Sequence, residues 1–138
     1  MTADLILALL IALAGPGGPP PGADCERFAD AIAATDATPD EARVLASLAF
    51  TETRCKPVGS DGTPAYGLSD YWERHGHVYP TIEQGAPISL RFLRLHVAQA
   101  GTIRGGLARY FGRNRRGTDA YVRVVMRRAA VRIAEGGR

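Results

Sequence analysis

Residues 39–57, "PDEARVLASLAFTETRCKP", decide how the rest of the chain is read. Leu45, Leu48 and Ala49 recur at i, i+3 and i+4, the spacing of a buried helical face, and the next member of the series is Glu52. A complete start signal precedes them: Thr38 at the N-cap, Pro39 at the first helical position and Glu41 three residues after the cap, a capping box. The pattern predicts a helix running to about Thr53 whose last turn aims a carboxylate at its own apolar side. Burial disfavours the charged form of a carboxyl and keeps its proton on toward neutral pH, which is what a general acid requires. The plainer alternative is a helix-end glutamate that curls out to solvent or pairs with Arg54.

Upstream, "DCERFADAIAATDA" sets Phe28, Ala29, Ile32 and Ala33 on one helical face, with Asp24 as the cap. Residues 1–22 differ in kind. An apolar run over residues 5–14 is too short to cross a bilayer comfortably and is followed by a Gly/Pro linker. The run reads as the centre of a secretory leader with Ala12-Leu13-Ala14 as a small-residue cleavage site, although Asp4 stands where positive charge belongs. The alternative is an apolar helix packed on the body. The organisation expected is therefore a leader and linker over 1–22 and one domain over 23–138, in a chain of 138 residues that leaves room for a single core. Export places the chain in the periplasm or outside the cell, where its two cysteines, Cys25 and Cys55, are expected to form a disulfide.

Downstream, Pro57, Gly59, Gly62, Pro64 and Gly67 interrupt the chain faster than a helix tolerates, so 55–79 reads as a long structured loop, a kind of segment that usually carries function. Helical spacing returns in "PISLRFLRLHVAQAG" with Leu90, Leu93 and Val97, stopping at Gly101, and a short helix follows over 103–111. The last helix has Val122, Val125, Met126, Ala129 and Ile133 on its core side. No alternating strand pattern of useful length occurs, so the fold class is all-α. Lys56 is the only lysine, yet the segment from Arg104 onward is rich in arginine against Asp119 and Glu135 alone. That imbalance favours an anionic partner without choosing among cell-wall polymer, membrane surface and nucleic acid.

"ETRCKP" followed by "AYGLSD" resembles the soluble lytic transglycosylases of the lysozyme-like superfamily, through Glu52, Thr53, Pro57, Ala65, Gly67 and Leu68. "IEQGAPISLRFLRLH", "LARYFGR" and "AYVRVVM" resemble that family's later motifs in the right order, with Tyr110 on its motif tyrosine. The resemblance implies a compact lysozyme-like helical domain that cleaves the bond between N-acetylmuramic acid and N-acetylglucosamine in peptidoglycan. It implies Glu52 as the single catalytic acid and base, with Tyr66, Gly67, Leu68, Ser69, Asp70 and Tyr110 around the sugar. The muramic acid 6-hydroxyl would serve as nucleophile and close an anhydro ring, so neither cofactor nor metal is implied. The partners implied are glycan strands, for a monomer working alone or within a wall-spanning or phage assembly.

Three departures bear on that reading: Cys55 replaces an aromatic, Ser69-Asp70 stands where Met-Gln is usual, and Phe111 stands where asparagine is usual. Asp61 and Asp70 are the available second carboxylates, and one that held a water would turn the chemistry toward lysozyme-type hydrolysis. A wall-binding protein that has lost activity is a further alternative, and a nucleic-acid binder using "RYFGRNRRG" is a weaker one, not expected of an exported chain. Tyr71, Trp72 and Tyr79 join Tyr66 and Tyr110 as aromatics able to pack on sugar faces. His75 and His77 with the two cysteines match no compact zinc spacing.

Overall fold

The computed structural model describes residues 1–112 and 117–133. Among them the chain forms α1 (Ala3–Ala14), α2 (Cys25–Ala33), α3 (Pro39–Thr53), α4 (Ser69–Arg74), α5 (Ile82–Ala100), α6 (Ile103–Phe111) and α7 (Thr118–Ala129), with a single 3-10 turn at Ala65–Gly67. The only strand-like pairing among the described residues is an isolated bridge between Val58 and Pro64. The fold is all-α.

Helix α3 is the axis. Its capping box is formed, Thr38 Oγ1 accepting from Glu41 N at 3.2 Å and Glu41 Oε1 accepting from Thr38 N at 2.9 Å. Leu45, Leu48 and Ala49 are fully buried, and so are Ala46 and Ser47 on other faces, so the helix is enclosed nearly all round rather than along one stripe. A buried hydroxyl there needs a partner, and Ser47 Oγ donates to Val125 O at 2.7 Å, tying α3 to α7. Arg43 Nη1 closes the far end of α7 by donating to Ala129 O at 3.0 Å and Val131 O at 2.9 Å. These orphan carbonyls at a helix end are thereby satisfied by a cation, which also suits the helix dipole.

Helix α1 packs against α2 and α3, with Ile6, Leu9 and Leu10 completely buried. Burying three such side chains is worth about 1.5–3 kcal/mol each. Residues 15–22 connect α1 to α2. No helix among the described residues is long and apolar enough to cross a membrane.

Two other boundaries move. Helix α5 begins at Ile82, five residues before the proline at which a start was expected, because Thr81 and Gln84 form a capping box with bonds of 3.0 Å each way. Pro87 is carried inside the helix. Helix α7 ends at Ala129, so Ile133 packs on the core from beyond it. Between α3 and α5 the expected loop holds the 3-10 turn and the short α4. Ion pairs fasten α5 to the earlier helices: Arg27 to Glu83 at 2.7 Å, and Arg94 to Glu41 at 2.8 Å and to Asp36 at 3.0 Å.

Candidate active site

The end of α3 is built to hold an unusual backbone. After Thr53 the chain turns through Arg54 (φ 53°) and Cys55 (φ 62°), both in the left-handed region that side chains disfavour. Three bonds fix the turn: Cys55 N donates to Ala49 O at 3.2 Å, Thr53 Oγ1 donates to Lys56 O at 2.7 Å, and Asp24 N donates to Cys55 O at 2.8 Å. A third left-handed residue, Tyr66 (φ 58°), lies in the 3-10 turn that packs on α3. Backbone strain of this sort persists where the surroundings over-determine it, and it gathers at functional sites. Here it surrounds Glu52.

Glu52 is half-buried in the last turn of α3. Tyr121 of α7 donates its hydroxyl to Glu52 Oε1 at 2.6 Å, and Tyr121 is itself stacked on Phe111 with ring centroids 4.0 Å apart and planes at 14°. Burial first, and then the negative charge of Glu52, push the Tyr121 phenol well above its ordinary pKa, so it remains a donor. On the other side Gly67 (φ 68°) lies flat against the carboxylate: a Cβ there would stand 2.5 Å from Glu52 Cδ and 2.8 Å from each oxygen. Only glycine allows both the backbone angle and that approach.

Glu52 lines a cleft of about 330 Å³, within the range of small-ligand sites. Asp61, Thr63, Gly67, Leu68, Ser69 and Asp70 line it from the α3–α5 connection, and Phe92, His96, Arg109, Tyr110, Phe111 and Gly112 from α5, α6 and the end of α6. Asp61 Oδ1 accepts from Thr63 N at 3.1 Å and Thr63 Oγ1 at 2.7 Å, bonds that hold its carboxyl below its ordinary pKa. Asp70 is exposed in the first turn of α4, Ser69 half-buried and Leu68 buried.

The expected site residues therefore divide. Glu52, Gly67, Leu68, Ser69, Asp70 and Tyr110 meet at one cleft. Tyr66 does not: it is fully buried, its ring edge-on to Phe28 at 5.2 Å, with Gly85 of α5 leaving room for it. Its side chain is core filling and cannot reach a sugar, though its carbonyl accepts from Tyr110 Oη at 2.7 Å. Tyr110 Oη also lies 2.7 Å from Ser89 Oγ, so the tyrosine expected to contact Glu52 or the sugar braces the 3-10 turn against α5 with its hydroxyl. Tyr121, inside the matched "AYVRVVM" segment but not singled out there, makes the contact with Glu52.

The remaining aromatics clip the loop rather than line the cleft. Tyr71 stacks on His75 at 3.8 Å, Trp72 lies near His77 and Tyr79, and Tyr79 Oη donates to Gly62 O at 3.0 Å. Cys25 and Cys55, the positions where a disulfide was expected, are both buried free thiols that influence each other. Their interaction lowers the Cys25 pKa and, with burial, raises that of Cys55. Of the arginines from Arg104 onward that favour an anionic partner, Arg113, Arg115, Arg116 and Arg138 lie outside the described residues.

No family model matches the chain, and no curated protein or solved structure matches it either.

Proposed function

We propose that the chain cleaves the glycosidic bond between N-acetylmuramic acid and N-acetylglucosamine in peptidoglycan, as a lytic transglycosylase acting in the bacterial cell envelope. The observation that carries this reading is the setting of Glu52: a carboxyl at a cleft of sugar-sized volume, held by a tyrosine hydroxyl at 2.6 Å and backed by a glycine that leaves no space for movement on that side. In this reading Glu52 donates its proton to the leaving oxygen as the bond breaks. The resulting carboxylate then takes the proton of the muramic acid 6-hydroxyl while that oxygen closes on the anomeric carbon. One carboxyl serves both steps in turn, because the nucleophile is the substrate's own.

The motif resemblance of "ETRCKP" and "AYGLSD" supports the same assignment. One observation favours a second reading: Asp61 and Asp70 line the same cleft, and a carboxylate holding water across the sugar from Glu52 would give hydrolysis instead.

Product analysis decides between them. Purified sacculi are digested with the wild-type chain and with Glu52→Gln, and the muropeptides are weighed by mass spectrometry. Anhydro-muropeptides are expected from the wild type, with release falling by at least the roughly 100 to 10,000-fold that general acid or base catalysis contributes. Reducing ends establish hydrolysis instead. Equal release by Glu52→Gln, or none by either protein, refutes catalysis through Glu52.

A further inference from the structure

We propose that Arg109 recognises a carboxylate carried by the glycan, so that the α5–α6 wall of the cleft selects an acidic sugar substituent over a neutral chain. The proposal rests on the glycan-cleaving reading above and adds to it the residue that sets its selectivity.

Arg109 is the one cationic side chain among the described residues of the cleft, in a site that also contains Glu52, Asp61 and Asp70. An arginine so placed would be expected to pair with one of those acids. It does not: no ion pair of the described residues includes it. Its Nη1 instead donates to the neutral amide oxygen of Gln99 at 3.1 Å. The guanidinium is therefore held in place by a partner that leaves its charge uncompensated. It keeps further N–H donors in the planar fork that fits a carboxylate through two bonds at once. Neutral hydroxyls and acetamido groups are adequately served by backbone and uncharged donors. A full, unpaired positive charge is useful for an anion.

His96 supplies an independent observation on the same wall. It lines the cleft from α5, with its ring edge toward Tyr110 at a centroid distance of 6.4 Å. Its Nδ1 is buried and has no hydrogen-bond partner among the described residues. Buried polar atoms are normally paired, so an unused one beside an uncompensated arginine marks hydrogen-bonding capacity that the fold itself does not consume. Asp61 and Asp70, on the α3–α5 connection and α4, repel the same substituent, which adds an orientation: the acidic group lies toward α5 and α6, leaving the glycosidic oxygen toward Glu52.

Two sources present this chemistry: the lactyl ether carboxylate, free where the glycan has lost its peptides, and the carboxylates of the peptide stem where it has not. The test separates them. Binding is measured by calorimetry with the Glu52→Gln chain, which does not turn over, against three probes: a neutral N-acetylglucosamine oligomer, an alternating glycan stripped of peptides, and the same glycan with peptides. The stripped glycan is expected to bind roughly tenfold or more tightly than the neutral oligomer, the scale of one hydrogen-bonded charge. Adding Arg109→Gln should abolish that preference while leaving affinity for the neutral oligomer unchanged, and Arg109→Lys should restore part of it. A preference confined to the peptide-bearing glycan assigns the carboxylate to the stem. A preference that survives Arg109→Gln, a parallel loss on all three probes, or equal binding of all three by the parent overturns the proposal and leaves the glycan reading standing. Failure of every probe to bind the folded chain removes the glycan reading itself.

Discussion

Gly67→Ala is the substitution whose consequence the structure defines most closely. The position has φ 68°, and an added methyl group would sit 2.5 Å from Glu52 Cδ. Carbon atoms in contact stand about 3.5–4.0 Å apart, so the carboxyl group or the turn has to give way by about 1 Å. The left-handed angle itself costs a side-chain-bearing residue about 1–2 kcal/mol. A displacement of about 1 Å at a reacting group costs on the order of 100-fold in rate, and that loss should fall on kcat more than on KM. Gly62→Ala separates the two effects, since Gly62 has φ 85° but its nearest neighbour across the gap is Tyr79 Oη at 3.6 Å, an ordinary contact. The control should lose comparable stability and keep most of its activity. Both proteins are assayed by urea unfolding and by the initial rate of muropeptide release from sacculi. If the two variants lose activity equally, the argument that Gly67 positions Glu52 is wrong.

Two more outcomes follow from the packing around that site. Treated with a disulfide oxidant, the chain should lose the mass of two hydrogens at Cys25 and Cys55 and unfold at higher denaturant, since closing a loop of about thirty residues is worth roughly 3–4 kcal/mol in chain-entropy terms; an unmoved midpoint in material shown by mass to be bridged would count against it. Acid should weaken the fold through Glu41, whose carboxyl the Arg94 guanidinium holds down from an ordinary 4.5 to about 2. The folded state thus binds that proton less readily than the unfolded chain, so the contribution is complete above about pH 4.5 and is lost as pH falls toward 2. Glu41→Gln should flatten the thermal midpoint across that window, and an unchanged slope would show that the Glu41–Arg94 pair does not govern it.

What could be read from the sequence was local, and what could not was set by contacts across the chain. The helix carrying Glu52 was legible because a capping box and an i, i+3, i+4 series lie within one stretch of sequence. The same chemistry at Thr81 and Gln84 was passed over because the apolar spacing that marks this helix begins only after Pro87, and the first turn carried no such series. Tyr66 was misplaced because nothing within the 3-10 turn records that Phe28 and Gly85 close around its ring. Tyr121 was missed for the same reason: its partner is 69 residues away, and helical periodicity shows only which side of α7 it occupies. Phe111 shows how a departure from a motif can carry information that the motif does not. Read as a missing asparagine, it argued against sugar binding; stacked on Tyr121 at 4.0 Å, it fixes the ring whose hydroxyl meets Glu52. An asparagine there has no ring to stack, so the position that looked like a loss of function now supports the orientation of the proposed acid through its neighbour.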